Sequence, residues 1–71
     1  MNDIIIAFHE KYYDALHGRV VRVFVKGDIV VEGIFANEFY EEESILITPE
    51  SNAVTIIKIS DIESMELAEN D

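Results

Sequence analysis

Apolar residues at Ile4, Ile5, Phe8, Tyr12 and Leu16 fall on one stripe of a helix of period 3.6, which predicts a helix over about 3–17. Asn2 or Asp3 is placed to accept its first free amides, and Gly18 stands where a helix commonly needs a left-handed cap. After Gly18 the period changes to two. Val21, Val23 and Val25 alternate with Val20, Arg22, Phe24 and Lys26, the signature of a half-buried strand over about 19–26. Gly27-Asp28 then fits a tight hairpin turn with glycine in the positive-φ position, and 29–36 forms the return strand. Gly33 inside that strand marks the expected bulge or bend. Further strands are predicted over 44–48 (SILIT), ended by Pro49, over 53–59 (AVTIIKI), and over 63–67 after a single tight turn at Ser60-Asp61-Ile62. The turn cluster 49–53 and a frayed acidic tail, AEND, complete the chain. The expectation is one domain over 1–71, mostly β with one N-terminal helix, its five-stranded antiparallel sheet bent strongly enough to form a small barrel.

Composition narrows the chemistry. At 71 residues there is room for one small core, and with no cysteine neither disulfides nor thiolate metal ligands support it. Hydrophobic content of 49% suffices for a packed interior, so the net charge of −10 is a surface property and not a mark of disorder. That charge is lopsided. Residues 27–71 hold twelve of the fifteen acids and Lys58 as their one cation, whereas Lys11, Arg19, Arg22 and Lys26 nearly balance the first 26 residues. Such a surface repels phosphate backbones and attracts basic partners, so the charge disfavours RNA. No apolar stretch approaches the roughly 20 residues of a membrane helix, and no basic leader precedes Ile4, so a soluble, cytoplasmic protein without membrane contact is expected.

The stretch NEFYEEES gathers the most conspicuous candidates: Asn37, Glu38, Phe39, Tyr40, Glu41, Glu42 and Glu43. Calcium needs six or more converging oxygens and a glycine to turn the loop, and adjacent glutamates with no glycine supply neither. A carboxylate pair for acid–base work needs a cleft that separates its pKa values, which a short exposed turn does not offer. The remaining readings are a solvated loop or a docking surface, with Phe39 or Tyr40 as anchor and the glutamates steering a basic partner. On an ideal helix His9 and His17 lie about 12 Å apart along the axis and cannot share an ion. Glu10, Asp14 and His17 do share a face, as metal ligands or as a solvated face. Arg22 and Lys26 either cover apolar surface with their stems or meet the acidic half of a neighbouring subunit. No catalytic triad, P-loop, dinucleotide fingerprint or zinc spacing is present, so neither an enzyme nor a cofactor is expected.

Leu16, Gly18, Val21, Val23, Val25, Lys26, Gly33 and Phe35, at their spacings, resemble the first segment shared by Sm and Sm-like proteins, and IKISDI (57–62) is similar to the second, shorter one. The resemblance covers nearly the whole chain. It implies an Sm-like or SH3-like barrel whose two edge strands pair head to tail into a homo-oligomer, such as a ring. The edge residues concerned are Val54, Ile56, Lys58, Met65 and Leu67. It also implies RNA binding as an alternative, through Asn37, Tyr40 and Lys58. The family's uridine-holding aspartate and asparagine, however, fall near Phe39 or Tyr40 and near Glu43 or Ser44, and its arginine and glycine positions are Lys58 and Ile59. The expectation is therefore a non-catalytic assembly and interaction module presenting an acidic surface. A further alternative is an acidic regulator of a basic nucleic-acid-binding protein.

Overall fold

The computed structural model describes residues 3–48 and 54–68. The Asn2 cap, Pro49 with the 49–53 turn, the first residue of the fourth predicted strand and the end of the acidic tail lie outside the described residues. The N-terminal helix runs as α1 (Asp3–Phe8), a π-helical turn (His9–Tyr13) and α2 (Asp14–Leu16). Five strands follow: β1 (Val20–Val25), β2 (Ile29–Phe39), β3 (Ser44–Thr48), β4 (Thr55–Lys58) and β5 (Ile62–Leu67), with a 3-10 turn (Ile59–Asp61) between the last two. They form one antiparallel sheet in the order β4-β3-β2-β1-β5.

The expected barrel does not close: among the described residues β4 and β5 are not paired with each other, and the sheet keeps the two edges the sequence implies. It must nevertheless curl. In a flat sheet the edge strands would sit roughly 19 Å apart, at about 4.8 Å per neighbour, while the chain from Lys58 to Ile62 reaches roughly 14 Å at full extension. The 3-10 turn pins the curl from both sides. The Ile59 N–H donates to the Glu43 carbonyl (2.8 Å), and the Lys26 N–H donates to the Asp61 carbonyl (2.9 Å).

Alternation supplies the core: Val21, Val23, Phe35, Ile45 and Ile47 are fully buried on the concave face, joined by Ile57, Ile59 and Met65. Ile5, Phe8 and Leu16 bring the helix onto them. Each such side chain stabilises the fold by about 1.5–3 kcal/mol, so three of them hold the helix without help from its surface. The helical stripe differs from expectation at two places. Ile4 is 43% exposed, and Tyr13 packs against the core beside Tyr12, because the π turn inserts one residue and brings a second ring round to the sheet.

Turns follow the sequence more loosely. Gly18 has φ +81, and its Cβ position is open, so the backbone angle and not crowding selects glycine there. The β1–β2 hairpin closes at Val25 and Ile29, leaving a three-residue loop in which both Gly27 (φ +88) and Asp28 (φ +61) have positive φ, so glycine is not alone. Gly33 is no bulge: it is buried and pairs regularly with Val21. The irregularity lies three residues later, where Ala36 is skipped between the pairs Phe35–Ile47 and Asn37–Leu46.

Candidate functional site

The Ala36 bulge decides what NEFYEEES is. Strand β2 runs on to Phe39, so Asn37, Glu38 and Phe39 are strand residues, and only Tyr40 to Glu43 form the turn. In an uninterrupted strand Glu38 would share the outward face of Val30, Glu32 and Ile34. One extra residue reverses the alternation, so Glu38 faces inward beside Ile45 while Asn37 and Phe39 face out. The Glu38 side chain is only 12% exposed, and its Oε2 is buried without a hydrogen-bond partner. Its Oε1 lies 2.6 Å from Nδ1 of His9, whose side chain is half exposed. A carboxylate this buried needs a counter-charge, and His9 supplies one when protonated. That hydrogen bond raises the His9 pKa above the ordinary 6.5; desolvation, the next largest influence, opposes it, and weaker attractions from Glu38, Asp14 and Glu10 add to the rise.

His9 is one rung of a ladder. Its ring stacks on Tyr13 (4.4 Å between centroids, 20° between planes), and Tyr13 stacks on His17 (4.4 Å, 18°). Tyr13 and His17 both meet Phe35 edge to face, and His17 Nε2 lies 3.2 Å from the Ala36 carbonyl, to which its N–H donates. An ideal helix would place the two histidines about 80° apart around the axis, and the π turn is what aligns them, with Tyr13 between. The Glu10, Asp14 and His17 face is not a ligand set, since His17 is engaged by Tyr13 and Ala36. Among the described residues no group of three His, Cys, Asp or Glu could hold a metal ion. The sequence reading missed the His9–Glu38 pair, because neither the bulge nor the π turn has a spacing signature. The doubled Tyr12-Tyr13 was the available hint.

The rest of the acidic stretch is an exposed turn. The Glu43 N–H donates to the Tyr40 carbonyl (3.3 Å), Tyr40 is 54% exposed, and Glu43 adopts φ +52, a left-handed angle that L residues other than Asn and Asp avoid. Glu41, Glu42 and Glu43 carry their charge there, at the end of β2. Asn37, Tyr40 and Lys58, the RNA-pocket set, stand at one end of the sheet on three different elements. Asn37 accepts from the Glu38 N–H (2.9 Å), Lys58 stands in the neighbouring row opposite Ser44, and Tyr40 is in the turn.

Of the expected edge residues, Val54 (60% exposed), Ile56 (61%), Lys58 and Leu67 lie on or beside the free edge strands, whereas Met65 turns inward and is buried, in register with Val23. Arg22 does not await a neighbouring subunit: it sits between Glu32 (Nη2–Oε2 3.0 Å) and Glu66 (Nη1–Oε2 2.8 Å) on the flanking strands. Beside the start of β5 an apolar groove of about 290 Å³ opens between Ile4, Ala7, Phe8 and Tyr12 of the helix and Ile59 and Ile62, with Lys11 and Glu63 also lining it.

Together these features define a small, mostly β domain: one helix on a curled, open five-stranded sheet, with two free edges and an acidic turn. No protein-family model and no curated protein matches the sequence. Among solved structures the fold is similar to a chain from one described as the structural basis of Dcp1:Dcp2 mRNA decapping complex activation by Edc3 and Scd6, with a TM-score of 0.71 and 15% identity. The match covers 84% of this chain and 62% of that one, so this chain spans less than two thirds of its neighbour's length. At this identity the likeness is one of fold, and it establishes a small β-sheet architecture. No helix among the described residues is long and apolar enough to cross a membrane.

Proposed function

We propose that this protein is a non-catalytic, Sm-like assembly and interaction module that associates with copies of itself through its edge strands and presents an acidic surface to a partner. The observation that carries the reading is the pair of unlike edges. Val54, just before β4, and Ile56 within it are exposed at a spacing of two beside Lys58, and β5 begins at an apolar groove lined also by Lys11 and Glu63. A strand added to the β5 edge brings alternate side chains toward that groove, and exposed apolar side chains at one edge with a groove at the other favour β4 against β5 over either edge against itself. Unlike edges pair head to tail, and such contacts close into rings when the rotation permits. The helix followed by five strands in the order β4-β3-β2-β1-β5 supports the Sm-like reading, and a fold neighbour from a study of a multi-protein complex supports an interaction module. Size-exclusion chromatography with light scattering tests it: oligomers at micromolar concentration are expected, and a strict monomer defeats it.

A second reading has its own observation. The Tyr40–Glu43 turn is exposed, carries three glutamates and holds Tyr40 half out of the surface, which suits an acidic regulator docking on a basic nucleic-acid-binding protein. Replacing Glu41, Glu42 and Glu43 by lysine should abolish capture of basic proteins while the oligomeric state is retained. Unchanged capture removes this reading and leaves the first intact. RNA binding is the weaker alternative, because a net charge of −10 repels phosphate backbones. Oligouridine titration near physiological salt checks it directly, with no binding expected at tens of micromolar.

A further inference from the structure

Two local irregularities, each unfavourable in isolation, meet at one contact. A π turn in the helix is a strained insertion, and a bulge that drives a glutamate toward an apolar core opposes the ordinary alternation of β2. Both converge on His9 and Glu38, 2.6 Å apart, and neither residue is needed to hold the helix down, since Ile5, Phe8 and Leu16 already do so. The arrangement is asymmetric in exposure. Glu38 is buried apart from 12% of its side chain and has one oxygen without a partner, while His9 is half open to solvent, where a proton reaches it freely.

We propose that His9 and Glu38 form a pH-sensitive latch between the π turn and the inward-turned end of β2, closed when His9 is protonated and loosened when it is neutral. With His9 charged, the buried carboxylate is matched by an imidazolium that also rests on the face of Tyr13, an arrangement that favours the cation. With His9 neutral, Glu38 keeps at best one neutral donor, and its charge is left in a site that offers nothing to the second oxygen. The groups acting on His9 are Glu38 from β2 and Glu10 and Asp14 from the helix itself. All three are acidic, and Tyr13 separates His9 from His17. The direction follows: the latch contributes fully below the unfolded histidine value of 6.5 and is lost as pH rises through the higher folded value. The three buried helix residues remain in place throughout, so opening is local: the π turn and residues 37–39 separate, and the domain stays folded. This inference does not depend on the proposed assembly.

NMR titration of the imidazole, together with hydrogen-exchange protection corrected for intrinsic rate, tests the latch on the full chain. The His9 midpoint is expected above 6.5. Amides of the π turn and of Glu38 should lose protection across that midpoint by about tenfold for each pH unit of the shift, because the two quantities are linked. A midpoint at or below the ordinary value, or protection that stays level through it, overturns the proposal. In Glu38→Gln the midpoint should fall back and the protection step vanish. Should that variant not fold, His9→Gln serves instead, since its site is half exposed. Protection in His9→Gln is expected to be flat with pH, and a persisting step would assign the effect to another group and refute the latch.

Discussion

Glu43 shows how a single backbone angle sets the worth of a side chain. At φ +52 it closes the β2–β3 turn in a conformation that costs an L residue roughly 1–2 kcal/mol, in part offset by the chain freedom that a glycine would lose on folding. Glu43→Gly is therefore expected to stabilise the domain by about 0.5–1 kcal/mol in urea denaturation. Glu42→Gly, at a neighbouring position without a positive φ, should be neutral or destabilising, so a shared gain would point to relief of charge repulsion instead. Nothing in the sequence marks Glu43 for this angle, since turn statistics would have placed Gly or Asn there. Glu38 was equally hidden. Its identity suggests solvent, and only the skipped Ala36 sends it inward, whereas Gly18 and Gly27 announced their positive φ through residue type alone.

Among elements, the joint between helix and sheet is organised by Phe35. Its ring is fully buried and meets Phe8, Tyr13 and His17 edge-on, while its backbone pairs with both Gly18 and Arg19 through hydrogen bonds of 2.8 and 3.1 Å. Phe35→Ala should cost about 3–5 kcal/mol, against a total of roughly 4–10 kcal/mol for a domain this small. Chemical denaturation should then find that variant marginal or unfolded at 25 °C, with Phe35→Leu retaining a cooperative transition. Strand alternation made Phe35 and its neighbours Val21 and Val23 readable as core, and β3 spans the very residues its pattern marks. The extension of β2 to Phe39 was not readable, because a bulge breaks the period on which the reading depends and the run of polar residues beyond it imitates a loop.

For the whole molecule, the open sheet makes solubility and assembly two outcomes of the same edges. Lysine at both Val54 and Ile56, each about 60% exposed, should disperse any oligomer in light scattering yet change the stability of the dilute monomer by less than about 0.5 kcal/mol. The melting temperature of the unmodified protein should rise with concentration, and that dependence should disappear in the double variant. The 3-10 turn that gathers the sheet's two ends carries a kinetic consequence. Hairpins β1–β2 and β2–β3 close over three and four residues, whereas β5 reaches β1 across a separation of 44 positions, as in the Arg22–Glu66 pair. Chain entropy therefore makes the β1–β5 seam the last to zip and the first to part. The lifetime of the folded state is therefore expected to follow the strength of that seam, and the edge left bare when it parts belongs to β1, the most apolar strand of the sheet.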